Sequence, residues 1–154
     1  MLRLRGNSPA TVDEKGRIKI PSGFNAALDS HFGQGNQVGP RYYLTSLDGL
    51  CARLYPLPVW EVIEEKLSKL PSALDAARVY LENTSYYGSE IEPDAQGRFV
   101  IQPILRSSAN LIGEVVILGQ LDYLAIWNRS VFEGRISGKP LTTAHLDQLA
   151  ELGI

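Results

Sequence analysis

Two short stretches place a carboxylate, a glycine and a guanidinium at the same spacing. "VDEKGRIKIP", residues 12 to 21, contains Asp13, Gly16 and Arg17, and "PDAQGRFVIQP", residues 93 to 103, contains Asp94, Gly97 and Arg98. An aspartate at the start of a tight turn can accept backbone N–H bonds, the glycine supplies a positive φ, and the arginine can fold back onto the carboxylate. An arginine held in this way is suited to phosphate or to a guanine edge. A single Asp-x-x-x-Arg match would mean no more than a staple across a surface hairpin. Here Asp, Gly, Arg, an alternating apolar run and a proline recur together, which points to an internal repeat.

The elements downstream recur in the same order. "PSGFNAAL" answers "PILRSSANL", "YYLTSLDGLCARLY" answers "VVILGQLDYLAIW", and "PLPVWE" answers "NRSVFE". Aligning the prolines gives the second copy one extra residue between Arg and Pro, and the first copy one extra near Cys51. Each copy reads as a hairpin, a short helix, a second hairpin and a longer helix. Val12, Ile18 and Ile20 alternate with charged neighbours around a Gly-containing turn, the pattern of a half-buried hairpin. The runs around Leu-Asp-Gly and Leu-Asp-Tyr are β-branched and aromatic, as strands joined by turns should be. In "PVWEVIEEKLSKL", Trp60, Ile63, Leu67 and Leu70 fall at helical spacing opposite charges. "PSALDAARVYLENTSYY" is expected to be a helix with Ser72 and Asp75 in capping-box-like positions, "TTAHLDQLAELGI" a short final helix, and "HFGQGNQVGP" a flexible crossing. Phe24, Tyr55, Trp60, Phe99 and Trp127 are expected to face inward, with Tyr86 and Tyr87 at a subunit interface.

The chain has 154 residues, of which 44% are hydrophobic, enough for one substantial core. No apolar run could cross a membrane, "MLRLRGNSP" does not read as a signal peptide, and a cytosolic protein is expected. The single cysteine, Cys51, reads as a small buried hydrophobe. The net charge of −2 argues against a broadly basic surface. Its distribution says more. Residues 1 to 22 carry +3 through Arg3, Arg5, Lys15, Arg17 and Lys19, whereas residues 90 to 106 carry −1. On charge alone, the first copy is the one equipped for phosphate contacts.

Catalysis finds little support. His31 and His145 are the only histidines, neither lies beside a cysteine or paired carboxylates at ligand spacing, and neither a phosphate-cradling glycine loop nor a G-x-S-x-G elbow occurs. No enzyme activity, cofactor or metal is expected. The main rival to nucleic-acid binding is an antitoxin-like or assembly module that binds a protein partner through exposed strands and the helix over 59 to 70. The basic N-terminal cluster favours DNA.

Through "RGNSPATVDEKGRIKIP", "LYPLPVWEVIEEKL", "DAQGRFVIQPILR" and "VVILGQLDYLAIW", which together span nearly the whole chain, the sequence resembles the MraZ family of bacterial transcriptional regulators associated with the division and cell wall gene cluster. The resemblance implies an α+β, β-rich fold of two tandem AbrB/MazE-like halves. Residues 1–70 would form the first AbrB-like half (SpoVT-AbrB type), 71–88 a helical connection, 89–138 the second half and 139–154 a C-terminal helix. The halves' swapped hairpins would interlock into a pseudo-two-fold β-barrel with flanking helices. The resemblance further implies ring-shaped homo-oligomers, a cytoplasmic and nucleoid-associated location, and binding to double-stranded DNA at direct repeats upstream of the family's own operon. Carried over residue by residue, Asp13, Gly16, Asp94, Gly97 and Arg98 take motif and structural roles, and Arg3, Arg5, Lys15, Arg17 and Lys19 would face DNA. A two-stranded ribbon fits the major groove, and several ribbons on one ring could gain roughly 10²- to 10⁴-fold over one.

Overall fold

A computed structural model describes residues 1–32 and 41–154. The glycine-containing crossing expected over residues 31 to 40 lies almost wholly outside the described residues. The first copy supplies strands β1 (Asn7–Val12), β2 (Arg17–Lys19), β3 (Tyr42–Thr45) and β4 (Ala52–Pro56), with helices α1 (Ser22–Phe32) and α2 (Leu57–Ser68). Helix α3 (Asp75–Tyr86) leads into the second copy, made of β5 (Ser89–Ile91), β6 (Arg98–Val100), α4 (Pro103–Ser108), β7 (Gly113–Gln120), β8 (Tyr123–Asn128) and α5 (Arg129–Gly138). Helix α6 (Thr143–Glu151) follows. The fold is α+β, and every strand pair is antiparallel.

The strands interleave. A six-stranded sheet runs β1-β7-β8-β4-β3-β5, and β2 pairs with β6 in a separate two-stranded ribbon. Exchanging each strand for its counterpart in the other copy reverses the six-strand order into itself and leaves the ribbon unchanged, so an approximate two-fold relates the copies. Two expectations need correcting. The first hairpin of each copy is not a ladder, because β1 pairs with β7 and β2 with β6. Nor does a barrel close by hydrogen bonding among the described residues, since β1 and β5 remain sheet edges. Both follow from the Asp-Gly-Arg turns, which steer β2 and β6 out of the large sheet and towards each other.

The hydrogen bonds also revise the alignment of the copies. Asn25 N–H donates to the Pro21 carbonyl at 3.0 Å and Arg106 N–H to the Gln102 carbonyl at 2.9 Å, so Pro21 answers Gln102 rather than Pro103. The spacing set by Asp13 and Asp94 therefore runs unbroken through α1 and α4. Proline serves each helix start one position apart: Pro103 is the first residue of α4, whereas Pro21 precedes α1.

Alternation buries one side of β1, β2, β6 and β7, whereas β3, β4 and β8 bury residues on both sides. Val12, Ile18, Ile20, Phe99, Ile101, Val115 and Ile117 join Leu28 and Leu105 in a core between the ribbon, the large sheet and the helices α1 and α4. All five aromatics expected inside are buried. Trp60 anchors α2 by stacking on Tyr43 at 4.7 Å between ring centroids. The Thr84 carbonyl fastens α3 to β3 by accepting from Tyr43 Oη at 2.8 Å and Thr45 Oγ1 at 2.7 Å.

The helix ends bring further corrections. Ser72 does not cap α3, because a turn closed by Leu74 N–H to the Pro71 carbonyl at 3.0 Å moves the N-cap to Leu74. Asp75 instead opens the first helical turn, where a carboxylate suits the helix dipole, and pairs with Arg78. Helix α2 ends at Ser68, so Leu70, expected on its apolar face, lies beyond it and is exposed, while Trp60 is buried and Ile63 and Leu67 are half-buried. Helix α6 has a capping box between Thr142 and His145 and buries none of its residues.

Candidate nucleic-acid interface

The two turns are built alike. Asp13 Oδ1 accepts from the backbone N–H of Lys15 and of Arg17, both at 2.9 Å, and Oδ2 accepts from Arg17 Nε at 2.7 Å. Asp94 Oδ1 accepts from Gln96 N–H at 2.9 Å and Arg98 N–H at 3.0 Å, and Oδ2 accepts from Arg98 Nε at 3.2 Å. Gly16 and Gly97 close the turns at φ 78° and 77°, which a side chain would strain. The backbone N–H of Arg17 is the main cause holding the Asp13 carboxyl below its ordinary value, with the Arg17 guanidinium and Lys15 N–H adding to it. Asp94 is lowered in the same way, first by the Arg98 N–H. Both carboxylates are therefore charged at neutral pH.

Each clasp uses the Nε of its arginine and leaves the two terminal nitrogens without a hydrogen-bond partner among the described residues. That is the edge a phosphate or a guanine would engage in bidentate fashion. Each arginine side chain is 50% exposed. The turns fix the guanidinium planes while leaving their forks open.

The ribbon brings the turns together. Arg17 pairs with Val100, Ile18 with Phe99 and Lys19 with Arg98. The ladder is extended at both ends by Ile20 N–H to the Gly97 carbonyl at 3.0 Å and Ile101 N–H to the Gly16 carbonyl at 2.8 Å. Ile18 and Phe99 are buried, so the opposite face presents Arg17, Lys19, Arg98 and Val100 to solvent. Residue counts along the chain gave the second copy a net negative charge. In space, its arginine stands directly across from Lys19.

The other expected contacts lie around this face. Lys15 is exposed in the first turn and makes no ion pair among the described residues. Arg3 and Arg5 are not on the ribbon. The chain around them runs beside the end of β7, where Leu4 bridges Leu121, and both line a shallow groove with Pro21, Ser22 and Phe24 at the start of α1.

Sequence reasoning missed three residues. Val100 was legible, because it occupies the place of Lys19 in the second copy. Arg106 and Asn25 are the other two. The Arg106 side chain lies against Gly16 in the space a Cβ would need, and its Nη1 is buried without a partner among the described residues. Asn25 occupies the matching place, its Nδ2 falling 2.8 Å from where a Cβ on Gly97 would stand. The continuous alignment equates these two residues, whereas aligning the prolines hides the match. No group of three His, Cys, Asp or Glu residues that could hold a metal occurs among the described residues, and none of their helices is long and apolar enough to cross a membrane.

Together these features define an internally duplicated α+β protein whose two copies jointly build one solvent-facing cationic ribbon. Comparison with known proteins identifies the family. The chain is 40% identical to the transcriptional regulator MraZ of Acidobacterium capsulatum over 97% of its own length and 99% of the relative's. It is 39% identical to that of Koribacter versatilis over the same shares, and 33% identical to that of Shigella sonnei over 86% of this chain and 84% of the relative. Residues 88–144 also match the family model described as "MraZ protein, putative antitoxin-like". The chain belongs to the MraZ family.

Proposed function

We propose that the protein is a sequence-specific DNA-binding transcriptional regulator that acts by binding rather than by catalysis. The observation that carries this reading is the ribbon face, where Arg17 and Arg98, clasped alike, flank Lys19 on a surface whose reverse side is packed into the core. A two-stranded ribbon is narrow enough for the major groove. Arg17 and Arg98 would read guanine edges, with Lys15 and Lys19 neutralising phosphates and Arg3 and Arg5 reaching phosphate beyond the ribbon. On this reading Arg98 contributes to DNA binding as well as to its turn.

The finer reading follows the family. Residues 1–70 and 89–138 would be two AbrB-like halves joined by 71–88, with 139–154 as a C-terminal helix. A ring of identical protomers in the nucleoid would engage successive direct repeats upstream of the division and cell wall genes. One ribbon offers only a few cationic contacts, so the gain from linkage, roughly 10²- to 10⁴-fold, supplies the affinity. The relatives' printed name, transcriptional regulator, supports the regulatory role.

The deciding experiment is a salt-dependent titration with duplex from the protein's own upstream region, repeats intact or scrambled, at a measured oligomeric state. Repeat-dependent binding with a steep salt slope is expected. Equal or absent binding to the two duplexes would refute the reading and favour a protein-partner module. That second reading draws on the family description as antitoxin-like and on α6, whose Leu146 is exposed.

A further inference from the structure

The approximate two-fold that exchanges the copies also exchanges the two ends of the ribbon. Arg17 and Arg98 correspond, so two identical guanidinium forks stand at symmetric places on the exposed face. A ribbon symmetric throughout would meet a DNA site and its reverse complement equally well. This face departs from symmetry at one pair of positions: Lys19 stands where the other copy has Val100. Val100 is 51% exposed and lies directly across the ladder from Arg17, whereas Lys19 lies across from Arg98.

The surroundings break symmetry too. The first turn carries Lys15 at its tip and the Arg106 guanidinium behind Gly16. The second carries Gln96 at its tip and Asn25 behind Gly97, and the groove beside it includes Asp29. One end therefore pairs an arginine with an apolar methyl surface, and the other pairs an arginine with a lysine. In the major groove these two combinations have different targets. A guanidinium beside an apolar side chain suits a guanine next to a thymine, whose 5-methyl group is the apolar feature there, while Arg beside Lys suits guanine and phosphate.

We infer that Val100 is a base-reading residue, contacting the 5-methyl group of a thymine adjacent to the guanine read by Arg17, and that its contrast with Lys19 makes each ribbon read an asymmetric site in one direction. The inference rests on the DNA-binding reading above and specifies which residues set its polarity. It also makes the geometry suit direct repeats, because a ribbon that distinguishes its ends gives identically oriented protomers identically oriented sites.

The test is selection from a random duplex library with the full-length protein, followed by titration of the selected duplex. Wild type is expected to enrich a non-palindromic unit containing a thymine next to a guanine. Replacing that thymine by uracil, which removes only the methyl group, should weaken wild-type binding about 4-fold, the worth of one buried methylene-sized group. Val100→Ala should bind the thymine duplex correspondingly more weakly and become indifferent to the replacement. Val100→Lys, which makes the two positions on the ribbon face alike, should lose the thymine preference and steepen the salt slope by about 1 per ribbon. Matched thermal melts confirm that both variants are folded. A palindromic unit from wild type, or equal sensitivity to uracil in wild type and Val100→Ala, overturns the inference while leaving DNA binding standing. No enriched sequence at all refutes the DNA-binding reading and the inference with it.

Discussion

Replacing Arg98 with alanine separates a structural from a recognition role in the second turn. The Arg98 Nε to Asp94 Oδ2 bond is 3.2 Å long, between side chains that are 50% and 48% exposed. A half-exposed pair of this kind contributes about 0.2–1 kcal/mol. Alanine retains the backbone N–H that donates to Asp94 Oδ1, so the turn keeps its two main-chain bonds to the carboxylate. In a chain of this size the melting temperature should fall by no more than about 4 °C. The effect on DNA should be larger. Loss of one phosphate-range cation lowers the salt slope by about 1 per ribbon, and loss of a bidentate guanine contact costs about 1–3 kcal/mol, or roughly 5- to 150-fold. Thermal melts and fluorescence-anisotropy titrations from 50 to 200 mM salt, a range over which about 6–10 phosphate contacts would change affinity by roughly 10³–10⁵, measure both quantities. Asp94→Ala provides the contrast, since it loosens the turn but keeps the cation, and should lower affinity without changing the slope. An Arg98→Ala protein with wild-type affinity and slope, or one that melts about 10 °C lower, would refute the reasoning.

The remaining predictions concern the turns and the core. Gly16→Ala should destabilise by about 2 kcal/mol or more in urea titrations, because alanine at φ 78° costs about 1–2 kcal/mol and its methyl group must displace the Arg106 guanidinium. Gly97→Ala meets only the Asn25 amide and should cost less; equal losses at the two sites would contradict the assigned role of Arg106. Tyr42→Phe should raise the melting temperature by about 2–4 °C, since the Tyr42 hydroxyl is buried without a partner among the described residues and its removal relieves about 1 kcal/mol of desolvation. A clear loss of stability would show that this hydroxyl is satisfied in solution. Burial, aided by nearby Asp48, pushes the Cys51 thiol up to about 11. Only the thiolate is nucleophilic, so iodoacetamide labelling of native protein should be slow at pH 8, where about one thiol in a thousand is ionised, and should climb towards pH 11. A rate that levels off below pH 9 would contradict that placement.

The local chemistry of the turns was legible in the sequence. Asp13 and Asp94, with Gly16, Gly97 and the two arginines, identify their turns because aspartate acceptance, positive φ and the returning guanidinium are decided within five residues. The second hairpins were legible for a related reason, since β3 with β4 and β7 with β8 are joined by short turns. The partners of β1, β2, β5 and β6 were not legible. Alternation in "TVDEKGRIKIP" says that one side of a strand is buried, and says nothing about which strand lies beside it. The proline alignment failed because proline is tolerated both just before a helix and at its first position. Charge counted along the chain separated Lys19 from Arg98, while the β2–β6 ladder sets them opposite each other. Helix α6 was legible from its pattern, but the lack of buried residues in it was not, because an apolar stripe predicts burial without naming what provides it.

The interleaving of the strands also governs how the molecule can be made. Asn7 of β1 stands opposite Leu118 of β7 in the ladder, so the earliest strand finds its neighbour only after more than a hundred further residues have been synthesised. At ribosomal speeds of about 5–20 residues per second, that delay is roughly 5–20 seconds. During it, the nascent chain carries unpaired edges at β1, at β2 and on both sides of the β3–β4 hairpin, whose outer partners β5 and β8 also lie in the second copy. The first copy therefore leaves the ribosome as a template awaiting its complement. A message truncated between the copies would release a chain whose open strand edges are prone to pair with other chains.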